Sequence, residues 1–215
     1  MHKYLGQSIA EKLSEFVGLP QEDKEVVAYG LEYLLSSAIG VVLTLVTGFF
    51  LGLFTETLAV LFCWGMMRLF AGGPHCTAFW RCTALSFAGI MTAVLISKGS
   101  FVLIPVTIWV TFSTALTLLA VWSWAPNNSE KPVHDPQKRR YLRMRAFSMV
   151  LSTCIILIIL ALNGTGHLQS LAGAGATGLA AGAFLLSPPG FLLIAWCDKK
   201  MELIQHTFRK GGELP

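Results

Sequence analysis

Apolar residues recur along this chain in two rhythms. At the start, Leu5, Ile9, Leu13, Phe16 and Val17 share one helical face while Lys3, Glu11, Lys12 and Glu15 lie elsewhere. That period predicts an amphipathic N-terminal helix, within residues 1–28, lying on a membrane surface or against a bundle. It halts near Gly18-Leu-Pro20, and a polar entry follows. Beyond it come six nearly continuous apolar runs at about 31–54, 57–70, 82–97, 101–124, 146–162 and 168–196. Four are comfortable transmembrane helices. The second, at ~1.5 Å per residue, covers only about 21 Å of a hydrocarbon core about 30 Å thick. The third is also short, so this pair either borrows its flanks to cross or forms a re-entrant hairpin. The predicted fold class is all-α: a polytopic integral membrane helical bundle of about six membrane segments, forming one domain over residues 1–215.

Composition agrees with this reading. The chain is 54% hydrophobic and only 13% charged, with a mean hydropathy of +0.62, too apolar for an ordinary soluble domain. A net charge of +4 would ordinarily raise nucleic acid as a partner. Here the basic residues lie between apolar runs, as topology determinants do, and nucleic acid binding is not expected. With the N-terminus inside, every lysine and arginine except Lys98 falls in an inner region, so both termini and the 125–145 basic loop are expected on the cytoplasmic side. That loop follows Trp122-Ser-Trp124, holds Lys138, Arg139 and Arg140, and would touch anionic lipids or an acidic substrate region. No removable signal peptide is expected. In the sixth run, Gly173, Gly175, Gly178 and Gly182 would let helices approach closely, within one subunit or between two, before Pro188-Pro189-Gly190 interrupts the helix.

Candidate chemistry concentrates between the second and third runs, in Arg68-Leu-Phe-Ala-Gly-Gly-Pro-His75-Cys-Thr-Ala-Phe-Trp-Arg-Cys82. Ionisable groups amid membrane-like sequence mark functional sites, and a thiol becomes a nucleophile when a base or positive surroundings favour the thiolate. His75 and Cys82 are the first candidates. On one straight helix they would lie about 20° apart around the axis but about 10 Å apart along it, too far for proton transfer. A break is therefore required, and Gly72-Gly73-Pro74 offers one, with a helix start after Pro74. Cys76 is the rival nucleophile, but a helical neighbour of His75 would point away from it. Cys63, Cys154 and Cys197 read as small buried hydrophobes. No Gly-x-Ser-x-Gly elbow accompanies Ser86, and no His-Glu-x-x-His motif is present. Asp23, Asp135 and Asp198 sit at or beyond membrane edges, which leaves neither an aspartyl dyad nor a deep proton relay.

Arg68-x-x-Ala-Gly-Gly-x-His75, with Cys82 seven residues on, resembles the signature of the AgrB family, membrane endopeptidases that process quorum-sensing propeptides. Trp-Ala-Pro126 through Lys131-Pro132, the following basic run and two final apolar segments extend the resemblance over most of the chain. It implies Cys82 as nucleophile and His75 as its base, with Arg68, Gly72 and Gly73 supporting; Arg81, Lys138, Arg139 and Arg140 would attract an acidic substrate tail. The implied partner is an AgrD-like propeptide, cut near its C-terminal tail through a thioester that an internal cysteine or serine converts to a thiolactone or lactone. The implied setting is the bacterial cell membrane, with the reactive motif on the cytoplasmic side. No metal or organic cofactor is required, and a homodimer is plausible. The alternatives are a non-enzymatic peptide exporter or transporter and a membrane adaptor acting through its basic loop.

Overall fold

The computed structural model describes residues 21–128 and 134–211. The amphipathic face predicted over residues 1–20 lies outside them; residues 21–28 form the first turns of a long helix. Seven helices follow: α1 (Gln21–Phe50), α2 (Phe54–Ala71), α3 (Phe79–Leu103), α4 (Val106–Trp124), α5 (Pro136–Asn163), α6 (His167–Leu186) and α7 (Pro188–Gly211). Among the described residues the first six are long and apolar enough to cross a membrane, and the chain is an all-α helical bundle of the predicted kind. The second and third segments are longer than the apolar runs suggested. α2 has 18 residues and α3 has 25, about 27 and 38 Å at ~1.5 Å each. Flanking residues supply the difference, Phe54-Thr-Glu56 and Ala71 for α2, Phe79-Trp-Arg81 and residues 98–103 for α3, the last three taken from the start of the fourth apolar run.

Two other boundaries shift for local reasons. The segment expected as a basic loop at 125–145 is helical from Pro136 onward. Asp135 caps that helix by accepting from the Gln137 N–H at 2.9 Å, and Pro136 occupies the first turn, where its missing N–H costs nothing. Lys138, Arg139 and Arg140 are therefore exposed on the opening turns of α5. The sixth apolar run does not continue to residue 196. α6 ends at Leu186, where the Ser187 N–H bonds the Phe184 carbonyl at 3.1 Å, and a new helix starts at Pro188.

α6 is the hub of the bundle: every residue from Ala172 to Leu179 is buried. Its glycines are used within the subunit. A Cβ on Gly178 would lie 2.7 Å from the Val60 carbonyl oxygen, one on Gly175 would meet Leu157 and Cys63, and one on Gly182 would meet Met67. Small residues let α2 and α6 pack backbone to backbone, and in lipid such packing replaces the hydrophobic effect as the cohesive force. The glycine stripe thus faces neighbouring helices of the same chain. Polar ties reinforce the contacts: Trp109 Nε1–H donates to Thr177 Oγ1 at 2.9 Å between α4 and α6, and the Ser36 and Thr83 hydroxyls meet at 2.7 Å between α1 and α3. Outside, Phe50, Phe62, Leu69, Phe112 and Leu119 are exposed, as lipid-facing side chains are.

Candidate active site

The chain between α2 and α3 does not fold as a helix beginning after Pro74. Gly72 and Gly73 run parallel to Asn127 and Asn128, which follow α4, in a two-residue backbone pairing. Residues 74–78 form an irregular turn, and α3 starts only at Phe79. Both glycines are obligatory for geometric reasons. Gly72 has φ +90° and Gly73 φ +139°, values that L side chains rarely adopt. A Cβ on Gly72 would strike the Asn127 carbonyl, and one on Gly73 would strike the Arg68 guanidinium. The Asn127-Asn128 partner strand is itself anchored, because Arg143 Nε donates to the Ala125 carbonyl at 2.9 Å. Arg145 stacks over the Phe70 ring at 5.6 Å.

This break does what a straight helix cannot. Cys82, on the first turn of α3, comes within hydrogen-bond reach of His75 and also of Cys76, and it feels the charge of Arg68. Arg68 Nη2 stands 3.5 Å from His75 Nδ1. A guanidinium only donates, so this long contact is a hydrogen bond only in the imidazole tautomer that leaves Nδ1 unprotonated. Arg68 Nη1 is buried with no hydrogen-bond partner among the described residues. The Cys76 thiol is pushed far above its usual range, first by its hydrogen bond with the Cys82 sulfur and then by burial. Cys76 therefore remains a protonated S–H beside the Cys82 sulfur. Sequence spacing missed this contact because it assumed helical directions for residues that are not helical.

A second missing residue lies more than a hundred positions away. Asp198, on α7, is 7% exposed. Its Oδ2 accepts from the Thr77 backbone N–H at 3.1 Å and from the Thr77 hydroxyl at 2.9 Å, and its Oδ1 pairs with Arg81 Nη1 at 3.0 Å. Arg81 also donates to the Asp198 carbonyl at 3.1 Å and lies 3.8 Å from Glu202. The sequence reading left Asp198 at a membrane edge and gave Arg81 to an acidic substrate tail. In the fold Arg81 is buried and its charge is already compensated, so it serves the turn. Lys138, Arg139 and Arg140 show no hydrogen bond or ion pair to His75 or Cys82 among the described residues.

Two cavities meet at Cys82. One, of about 540 Å³, runs between α3, α6 and α7. The other, of about 230 Å³, lies between α1, α2 and α3. Trp64, Arg68, Cys76, Cys82 and Ser86 line both. Cys63 and Cys154 are buried as expected, whereas Cys197 is half-buried on the wall of the larger cavity; all five cysteines are free. Among the described residues no cluster of histidine, cysteine and acidic side chains could hold a metal ion.

Residues 6–186 match the family described as Accessory gene regulator B. The chain is 28% identical over 171 residues to "Putative AgrB-like protein 2" of Clostridium perfringens (strain 13 / Type A), covering 74% of this chain and 75% of that protein. It is 25% identical over 163 residues to "Putative AgrB-like protein" of Clostridium perfringens (strain SM101 / Type A), with the same coverage. No solved structure matches significantly. The match over residues 6–186, most of the chain, together with a bundle whose first six described helices are long and apolar enough to cross a membrane, means that this chain belongs to the accessory gene regulator B (AgrB) family.

Proposed function

We propose that this protein is a membrane cysteine endopeptidase that removes the C-terminal tail of an AgrD-like propeptide and passes the remaining acyl group to an internal nucleophile, closing the cyclic peptide of a quorum-sensing system. The observation that carries this reading is the convergence of Cys82 and His75 across a non-helical turn, at the junction of two cavities. His75 takes the Cys82 proton, and the thiolate attacks the scissile carbonyl. The negative charge of that thiolate sits against the Cys76 S–H, the Arg68 guanidinium and the N-terminal turn of α3. As the tetrahedral intermediate collapses, the C–N bond breaks and the departing amine takes the proton from His75, leaving a thioester on Cys82. Arg68 Nη1, buried and unpartnered, is the donor available to the developing oxyanion.

A cysteine or serine within the bound peptide then attacks the thioester, releasing Cys82 and forming a thiolactone or lactone. Water is the competing nucleophile, so the acyl group must sit in a dry site until the ring closes. The cavity walls beside Cys82, formed largely of apolar side chains, support that requirement. On this reading the site opens at the cytoplasmic face, where the exposed Lys138, Arg139 and Arg140 would draw in an acidic tail.

The test is intact mass spectrometry of the purified protein in lipid after brief incubation with an AgrD-like propeptide, comparing wild type, Cys82→Ala and Cys76→Ala. The expected result is a hydroxylamine-sensitive adduct equal to the peptide without its tail, abolished in Cys82→Ala and reduced but present in Cys76→Ala. Processing by Cys82→Ala would exclude the mechanism.

A further inference from the structure

The two cavities at Cys82 differ in their walls, and the difference orients the substrate. His75 lines the smaller cavity only, in company with Tyr33, Ser36, Ser37, Thr44 and Thr83. The larger is walled by Leu85, Ala88, Ala93, Ala181, Leu185 and Ile194. Its one interhelical polar pair is already satisfied: Thr177 Oγ1 accepts from Trp109 and donates to the Gly173 carbonyl. Beyond the groups at Cys82 itself, an occupant of the larger cavity meets mainly apolar side chains, with the Ser86 and Thr92 hydroxyls as the other polar groups on its wall.

Resting on the peptidase reading, we infer that the larger cavity holds the acyl side of the scissile bond and selects a large apolar side chain there, while the departing tail leaves through the smaller cavity. The scissile carbonyl carbon must meet Cys82 Sγ, and its amide nitrogen must lie within hydrogen-bond reach of His75 to receive a proton. His75 stands on the smaller cavity, so the nitrogen and everything after it point that way. The substituents on the other side of the carbonyl are then directed into the larger cavity. At about 540 Å³ that space falls in the range of sites that enclose whole small ligands. It is roomy because alanines and a glycine line it.

The experiment uses tail-less acyl donors, N-acetyl-phenylalanyl and N-acetyl-alanyl thioesters of mercaptoethanesulfonate, with the full-length protein in lipid. The Cys82 thiolate displaces the sulfonate thiolate, one thioester bond replacing another, so the rate of the mass adduct on Cys82 reads acyl-side binding without the His75 proton. Wild type should acylate about tenfold or more faster with the phenylalanyl donor. Ala181→Phe, which fills the cavity, should abolish that preference while still reacting with the alanyl donor, which also reports that the variant is folded. Ala88→Leu, on the same wall, should reduce the preference in the same direction. Equal rates with both donors in wild type, or a preference that responds to Ser37→Leu in the smaller cavity and not to Ala181→Phe, would overturn the assignment and leave the peptidase reading intact. Adducts that persist in Cys82→Ala would overturn the peptidase reading and this inference with it.

Discussion

Replacing Asp198 by alanine should disable the reactive turn without touching a reacting group. The side chain makes three contacts at 2.9–3.1 Å, two to Thr77 and one to Arg81. Thr77 lies between His75 and Cys82 in sequence, so these contacts set where the turn delivers both. Removing one partner of a buried ion pair costs about 3–5 kcal/mol, because the other charge is left uncompensated. The remaining contacts of Arg81, to the Asp198 carbonyl at 3.1 Å and to half-exposed Glu202 at 3.8 Å, place the expectation near the lower end. About 3 kcal/mol against the competent turn shifts its ratio to misplaced arrangements by roughly 100-fold, at about 1.4 kcal/mol per factor of ten, which sets the upper bound on the loss of acylation. Asp198→Asn keeps an acceptor for Thr77 and should lose about tenfold. The assay is the rate of Cys82 acylation beside a thermal unfolding midpoint in the same detergent. The double variant Arg81→Leu/Asp198→Leu separates the two roles: an apolar pair restores stability where a lone charge does not, but it leaves Thr77 untethered. The expected outcome is a recovered midpoint with acylation still low. Full recovery of acylation in the double variant, or wild-type rates in Asp198→Ala, would refute the tethering argument.

Three further outcomes follow from the geometry. Gly72→Ala forces an L side chain to φ +90° against the Asn127 carbonyl; with about 1–3 kcal/mol of backbone strain before the clash is counted, a fall in Cys82 acylation of tenfold or more is expected, whereas Gly30→Ala, where a Cβ meets nothing within 4 Å, should leave it unchanged. Because the Cys76 thiol titrates far above the ordinary range, it should stay protonated and resist iodoacetamide at pH 7 and still at pH 9, where exposed thiols react; peptide mapping that found Cys76 alkylated ahead of Cys82 at neutral pH would contradict the shared hydrogen bond. Gly178→Leu drives a side chain into the Val60 backbone and should abolish folded protein, measured by size-exclusion recovery. This last result would not favour transport over catalysis, since it follows from packing alone.

Much of the architecture was legible because it is local. Six apolar runs announced the first six helices, although the lengths of the second and third could not be read from them, and Pro188-Pro189 marked the end of the sixth. The motif also declared its own need for a break, since His75 and Cys82 cannot meet on a straight helix, and the paired glycines marked where it would fall. Periodicity could not say that residues 74–78 would be irregular rather than helical. That outcome depends on Gly72-Gly73 pairing with Asn127-Asn128, a partner more than fifty residues away.

Arg81 and Asp198 show the same limit. Each reads in sequence as a charge at a membrane edge, and only the docking of α7 against the start of α3 makes them one buried pair. Asp198 also lies beyond residues 6–186, the stretch that matches the family, so no motif pointed to it. The division has one cause. The number of apolar runs and the composition of the reactive segment follow from neighbouring residues and the solvent they meet, so the sequence alone determines them. Which cysteine touches which, what neutralises Arg81 and which cavity His75 faces depend on contacts between distant segments, and those exist only once the helices have packed.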